Sequence, residues 1–135
     1  MRKFLKPLKL PPSADFGVLI LRVGISALML THGFAKLQGF LGGERSFADP
    51  IGIGETLSYI LTIGAEFGCS ILLILGLFTR AALVPLIFTM IVVAFVVHGD
   101  DPFSKKEHAI SFLIVYLTLF FTGPGKYSVD SKLYK

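Results

Sequence analysis

Apolar residues in this chain gather in long runs, separated by short polar or glycine-rich segments, instead of alternating with polar ones. A helix rises about 1.5 Å per residue, so about 17 to 25 mostly apolar residues cross the roughly 30 Å hydrocarbon core of a bilayer. Four runs reach or approach that length, at 15–37, 57–78, 81–98 and 107–123. The first holds Arg22, His32 and Lys36 in its interior, the second is interrupted only by Glu66, and the third has no charge. Pro85 falls early in the third, where a membrane helix tolerates it. Gly123, Pro124 and Gly125 end the fourth by removing an amide donor and loosening the backbone. The predicted fold is all-α: a bundle of four transmembrane helices in a single membrane domain covering 1–135.

Composition supports the same solvent. The chain is 53% hydrophobic with a mean hydropathy of +0.75, outside the range of soluble domains. A soluble helical core is excluded, because too little polar surface remains to cover four apolar runs. The start, MRKFLKPLKLPP, is basic like a secretory leader. The run behind it is longer than a signal core and lacks a small-x-small cleavage site, which predicts a retained anchor.

Charge then sets direction. Eight Lys and Arg flank one side (Arg2, Lys3, Lys6, Lys9, Arg80, Lys126, Lys132, Lys135) and four the other (Lys36, Arg45, Lys105, Lys106). By the positive-inside rule both termini are expected in the cytoplasm. The net charge of +4 does not indicate nucleic acid, since the basic residues cluster at membrane ends among Phe4, Leu5, Leu8 and Leu10, as anionic lipid headgroups require. The lone cysteine, Cys69, excludes a dithiol relay within this chain.

The long connection 38–56 is rich in glycine and is expected to cap the outer mouth of the bundle. In the next outer loop, Ser104 followed by Glu107 predicts a capping box for the fourth helix.

Helical periodicity sorts the remaining polar residues onto faces. In the first helix it aligns Arg22, Ser26, Met29, His32, Gly33 and Lys36; in the second, Tyr59, Thr62, Glu66, Cys69 and Ser70. Polar groups in lipid must be hidden against protein or water, so the two stripes are expected to face each other. Side chains lean toward their own helix N-terminus, which brings Glu66 and His32 together and sends Arg22 toward the cytoplasm to snorkel. Glu66, His32 and Lys36 are therefore expected to form a hydrogen-bonded, proton-active cluster, the candidate catalytic group. Arg22, Ser26, Tyr59, Thr62, Cys69 and His98 are the candidate substrate-binding residues around it. The same polar bonds can also act simply as interhelical glue, and Gly64 with Gly68 forms a GxxxG pattern that permits close helix contact. All three histidines are expected on the outer side. A bis-histidine haem or a His98, Asp101, His108 metal site is chemically allowed, but no diagnostic ligand spacing supports either, and no metal or covalent cofactor is expected.

The run LILRVGISALMLTHGFAKL resembles the first helix of DoxX family membrane proteins. Further resemblances follow in order: ADPIGIG, AEFGCSILLILGLFTRAAL, HGDDPFSKKEHA and GPGKYSVD. Together they cover nearly the whole chain. The resemblance implies a four-helix bundle in the bacterial cytoplasmic (inner) membrane, with Arg22, His32, Lys36, Glu66 and Arg80 as family-like polar residues and His98, Asp101 and Glu107 beside them. It also implies association with membrane oxidoreductase complexes, in which a separate partner subunit would hold the redox centre and a quinone would be the cofactor met between helices one and two. A non-catalytic scaffold or assembly factor is the alternative reading. A transporter is disfavoured by the lack of an inverted repeat, and a homo-oligomer would be needed to form a large path.

Overall fold

The computed structural model describes residues 2–134; Lys135 and the side chain of Arg2, both counted in the charge bias, lie outside what it describes. Among the described residues the fold is all-helical. A short α1 (Arg2–Leu5) precedes α2 (Pro12–Leu41), α3 (Glu55–Leu75), α4 (Thr79–Val97), α5 (Phe103–Thr122) and a short α6 (Val129–Leu133). Three of these, α2, α3 and α4, are long and apolar enough to cross a membrane. Each long helix packs on the next in sequence, and α5 returns to α2, closing a ring. Leu73, Leu83, Leu86, Ala94 and Leu119 lie fully buried at its centre. Large apolar side chains such as Ile20, Leu28, Phe95, Ile114 and Phe121 are more than half exposed around it, the reverse of a soluble surface and the face a bilayer covers.

Local chemistry sets the helix limits. Pro12 starts α2 as the first helical residue, where its missing amide is an orphan in any case. Gly76 ends α3 in the left-handed conformation, φ 70°, with the Gly76 amide on the Leu73 carbonyl and the Leu77 amide on that of Leu72, a Schellman motif. A Cβ at Gly76 would also overlap the Ser128 Cβ, so both conformation and packing require glycine there. The expected capping box is not formed. Pro102 precedes α5, which begins at Phe103, so Ser104 and Glu107 already lie inside the helix and no side chain caps it.

Two helices widen locally. Residues Gly64–Cys69 of α3 and Val93–Val97 of α4 each form a π-helical turn. The first lies where α2 presses closest: a Cβ on Gly33 would stand 2.5 Å from the Phe67 amide nitrogen and 2.6 Å from the Glu66 carbonyl carbon. A Cβ on Gly64 or Gly68 would meet nothing within 4 Å, so the GxxxG pattern is not the contact. Gly33 is the contact instead, set against backbone that the π turn displaces.

The N-terminal and C-terminal segments lie together at the end of the bundle opposite the 38–56 loop. Arg22 does not snorkel. It is 1% exposed and donates from Nε to the Leu73 carbonyl at 2.8 Å, from Nη1 to that of Pro124, and from Nη2 to that of Tyr127 at 2.8 Å. Its planar fork thus ties α2 to the end of α3 and to the C-terminal segment. Arg80 does the same for other parts of the knot, donating to the carbonyls of Phe120, Phe4 and Lys6. Asp130, fully buried, accepts the amides of Phe78 and Thr79 at the start of α4, and Asp15 accepts that of Lys126.

Candidate functional site

Glu66 stands in the π turn of α3, 3% exposed, and accepts a hydrogen bond from the Lys36 ammonium at 2.6 Å. Lys36, at the loop end of α2, is partly exposed. Each charge answers the burial of the other, and the pair is charge-assisted and short. π turns recur at functional sites because the extra residue re-aims a side chain out of the regular helical face. Here the turn carries Glu66 toward a cavity.

That cavity has a volume of about 430 Å³ and lies between α3 and α4 beneath the loop, with Lys36 reaching in from α2. Glu66, Lys36, Ser58, Thr62 and Thr89 are its polar lining; Leu61, Phe88, Val92, Val93, Val97 and the loop residues Phe47, Ile51 and Ile53 supply apolar wall. Both π turns and Pro85 border it. The pocket expected between the first two helices therefore lies one helix further on.

The loop over it is held in shape. Tyr59 donates its hydroxyl to the Lys36 carbonyl at 2.9 Å and stacks on Phe47, ring centroids 4.4 Å apart and nearly parallel. Arg45 lies over the Phe40 ring at 3.9 Å. The Asp49 carboxylate receives the amides of Ile53 and Gly54 at 2.8 Å each, closing the last loop turn. Tyr59 thus anchors the cavity roof without lining the cavity.

The expected cluster is met in part. Lys36 and Glu66 join, but His32 makes no hydrogen bond among the described residues and is exposed. Its ring meets that of His108 on α5 edge-on at 4.9 Å and that of Phe112 at 6.2 Å. The reason is helix phase. One residue turns the helix by about 100°, and Arg22, Ser26, Met29 and Gly33 centre the buried face, which leaves His32 on the flank toward α5. His98 pairs instead with Asp101, Nδ1 to Oδ2 at 2.8 Å, at the exposed end of α4. So His98 and His108 have different neighbours and do not converge as a ligand set. Ser26 is buried on α2, and Cys69 is half-buried at the end of the π turn; neither lines the cavity. Arg22 is occupied in the knot, away from the cavity.

Sequence reading missed Asp130 and the strap formed by 123–134. The signal was present in GPGKYSVD: two glycines bracket a proline, and both take positive φ, 75° at Gly123 and 80° at Gly125. Such a turn folds the chain back onto the bundle.

Apolar helices of membrane length, an apolar outer belt and a buried ion pair on a cavity define a small multi-pass membrane protein. The DoxX family model matches residues 17–99, and the chain belongs to the DoxX family. It is 31% identical over 129 residues to inner membrane protein YqjF of Escherichia coli K12, covering 90% of this chain and 95% of that one. It is 28% identical over 134 residues to inner membrane protein YphA of the same organism, covering 87% and 95%. An uncharacterized membrane protein of Mycobacterium tuberculosis, Rv3486, is 30% identical over 142 residues, covering 93% and 83%. No solved structure matches the chain.

Proposed function

We propose that this chain is the membrane subunit of an oxidoreductase complex, a single domain of four transmembrane helices with both termini in the cytoplasm, and that its cavity takes the head of a quinone. The observation that carries the reading is the Glu66–Lys36 pair on the wall of an otherwise apolar cavity of about 430 Å³. An apolar pocket with a few converging polar groups is the usual form of a small-molecule site. The residues fit this group: ring and tail call for the apolar wall, and the ring oxygens call for a donor at one end. A quinone supplies two-electron, two-proton redox chemistry when bound, its electrons coming here from a partner subunit. Lys36 would hold a ring oxygen by donating from Nζ. Glu66 would take or give a proton at its carboxyl oxygen, with Lys36 offsetting the charge left behind. Thr62 and Ser58 add polar edges, while Phe88, Val92 and Val93 exclude water. His32 and His98 fall outside this set, and Arg22 and Tyr59 act by holding the helices and roof in place.

A photoactivatable quinone analogue tests the reading. Crosslinks should map to the α3 and α4 segments that contain Leu61, Phe88, Val92 and Val93. Labelling spread evenly over the lipid-facing residues Ile20, Ile114 and Phe121 would reject it.

The scaffold reading draws on a different observation. Leu41 is 75% and Ile51 48% exposed at the loop end, apolar side chains set beside a loop turn closed by Asp49. A partner membrane protein gripping that loop would cover them. Crosslinking in native membranes separates the readings: a partner kept by a Glu66→Gln, Lys36→Met double variant that no longer takes the quinone analogue favours the scaffold.

A further inference from the structure

Beyond the Glu66–Lys36 pair, three hydroxyls inside the bundle lie completely buried and make no hydrogen bond within the protein: Ser26 on α2, Ser70 on α3 and Tyr116 on α5, each 0% exposed. A fourth, on Thr79, belongs to the start of α4 beside the C-terminal strap. A buried, unpaired hydroxyl costs about 1 to 3 kcal/mol, so three on three separate helices need a common explanation. Hydroxyls inside helices commonly return to a carbonyl one turn back, as Thr62, Thr89, Ser111 and Thr118 do here. Ser26 and Ser70 do not.

Helix register brings the three to within about one helical turn of one another. Two pins align α2 with α3: Gly33 against Glu66 and Phe67 at one end, and Arg22 Nε on the Leu73 carbonyl at the other. The helices run antiparallel between the pins. Ser26 stands two turns from Gly33 and one turn from Arg22, whose guanidinium carbon lies 3.2 Å from where a Cβ on Gly76 would stand, while Ser70 stands one turn from Glu66, so the two serines lie about one helical turn apart along the buried interface. On α5, His108 and Phe112 mark the level of His32, and Tyr116 follows one turn further from the loops, level with Ser26. The three hydroxyls thus lie within about one helical turn of one another on the far side of the carboxylate from the loops, with Ser70 nearest it.

We propose that Ser26, Ser70 and Tyr116 build a buried water site that relays protons to and from Glu66 on the side away from the cavity. A buried water needs two to four polar partners, and these hydroxyls each offer a donor and acceptor lone pairs. Arg22 closes the site toward the termini. Its Nε and both terminal nitrogens already donate to backbone carbonyls, and a guanidinium neither accepts a proton nor welcomes a passing cation. Glu66 therefore sits between an outer cavity and an inner water site that ends blind, so it can store and return a proton without leaking one across the membrane. The inference stands whether or not the cavity takes a quinone.

X-ray radiolytic labelling of the full chain in nanodiscs tests it, because bound water generates hydroxyl radicals beside the residues it touches. Tyr116 should be oxidised despite its burial, and Ser26→Ala with Ser70→Ala together should lower that oxidation severalfold. Tyr116→Phe supplies the sign: it should lower the melting temperature, because a partner of the water is lost. Background oxidation of Tyr116 in the unmodified protein overturns the proposal. So does oxidation unchanged by the serine substitutions, or a rise in melting temperature for Tyr116→Phe, the result expected of a dry and unpaired hydroxyl.

Discussion

Glu66 keeps a carboxylate inside an apolar helix because Lys36 reaches it from the neighbouring helix at 2.6 Å and because the lysine stem leads out toward the loops. Removing only the charge should cost little. Glu66→Gln keeps an acceptor for the ammonium and should lower stability by less than about 1 kcal/mol, whereas Glu66→Leu leaves the ammonium without one and should cost about 1.5 to 3 kcal/mol. Thermal melts in detergent measure the difference; equal melting of the two variants would show that the pair contributes nothing. The pairing was legible in the sequence because Lys36 and Glu66 lie on the two polar stripes that must face each other in lipid. The exclusion of His32 was not, since a stripe drawn from spacing alone is wider than the strip that α3 covers. Arg22 is the opposite case. Its position in the stripe and its lean toward the termini were right, but it does not reach water, because three backbone carbonyls replace the water it would have sought. Arg22→Lys, which keeps the charge and loses the fork, should lower the melting temperature more than Lys36→Met does. A smaller loss for Arg22→Lys would mean that the knot is held elsewhere.

At the scale of elements, the contact between α2 and α3 depends on one missing methyl. Gly33→Ala would place a Cβ 2.5 Å from the Phe67 amide nitrogen, and neither backbone can give way without separating the helices. The expected cost is about 1 to 3 kcal/mol, with loss of the Lys36–Glu66 geometry. Gly64→Ala meets open space and should be neutral or stabilising by up to about 1 kcal/mol, as alanine is the better helix former. Equal losses at both positions would point back to a GxxxG contact. Hydropathy placed the long helices to within a few residues at most ends. It could not show the π turns at Gly64–Cys69 and Val93–Val97, because an extra residue in a turn leaves the apolar run uninterrupted. Those turns decide which side of α3 receives Glu66, and so the cavity fell between α3 and α4.

The whole molecule is closed by its C-terminal segment. Asp130 caps the start of α4 from more than fifty residues further along the chain, the Arg22 fork holds Pro124 and Tyr127, and Gly76 makes room for Ser128. Asp130→Ala should cost about 1 to 2 kcal/mol through the lost cap alone. The loss should appear as a lower melting temperature with the quinone analogue still labelling α3 and α4, since the strap lies at the far end from the cavity. Abolished labelling in a folded Asp130→Ala protein would show instead that the two ends are coupled. Membrane residence and helical class could be read from apolar runs, while this strap required three-dimensional contacts that no periodicity encodes.

Quinone retention tests the central claim most directly. Protein purified from quinone-rich membranes in mild detergent should carry quinone, detected by native mass spectrometry and solvent extraction. Lys36→Met and Glu66→Gln should each reduce the retained quinone severalfold, and His32→Gln should leave it unchanged. Quinone absent from the unmodified protein, or retained equally by all three variants, would contradict the assignment of the Glu66–Lys36 cavity.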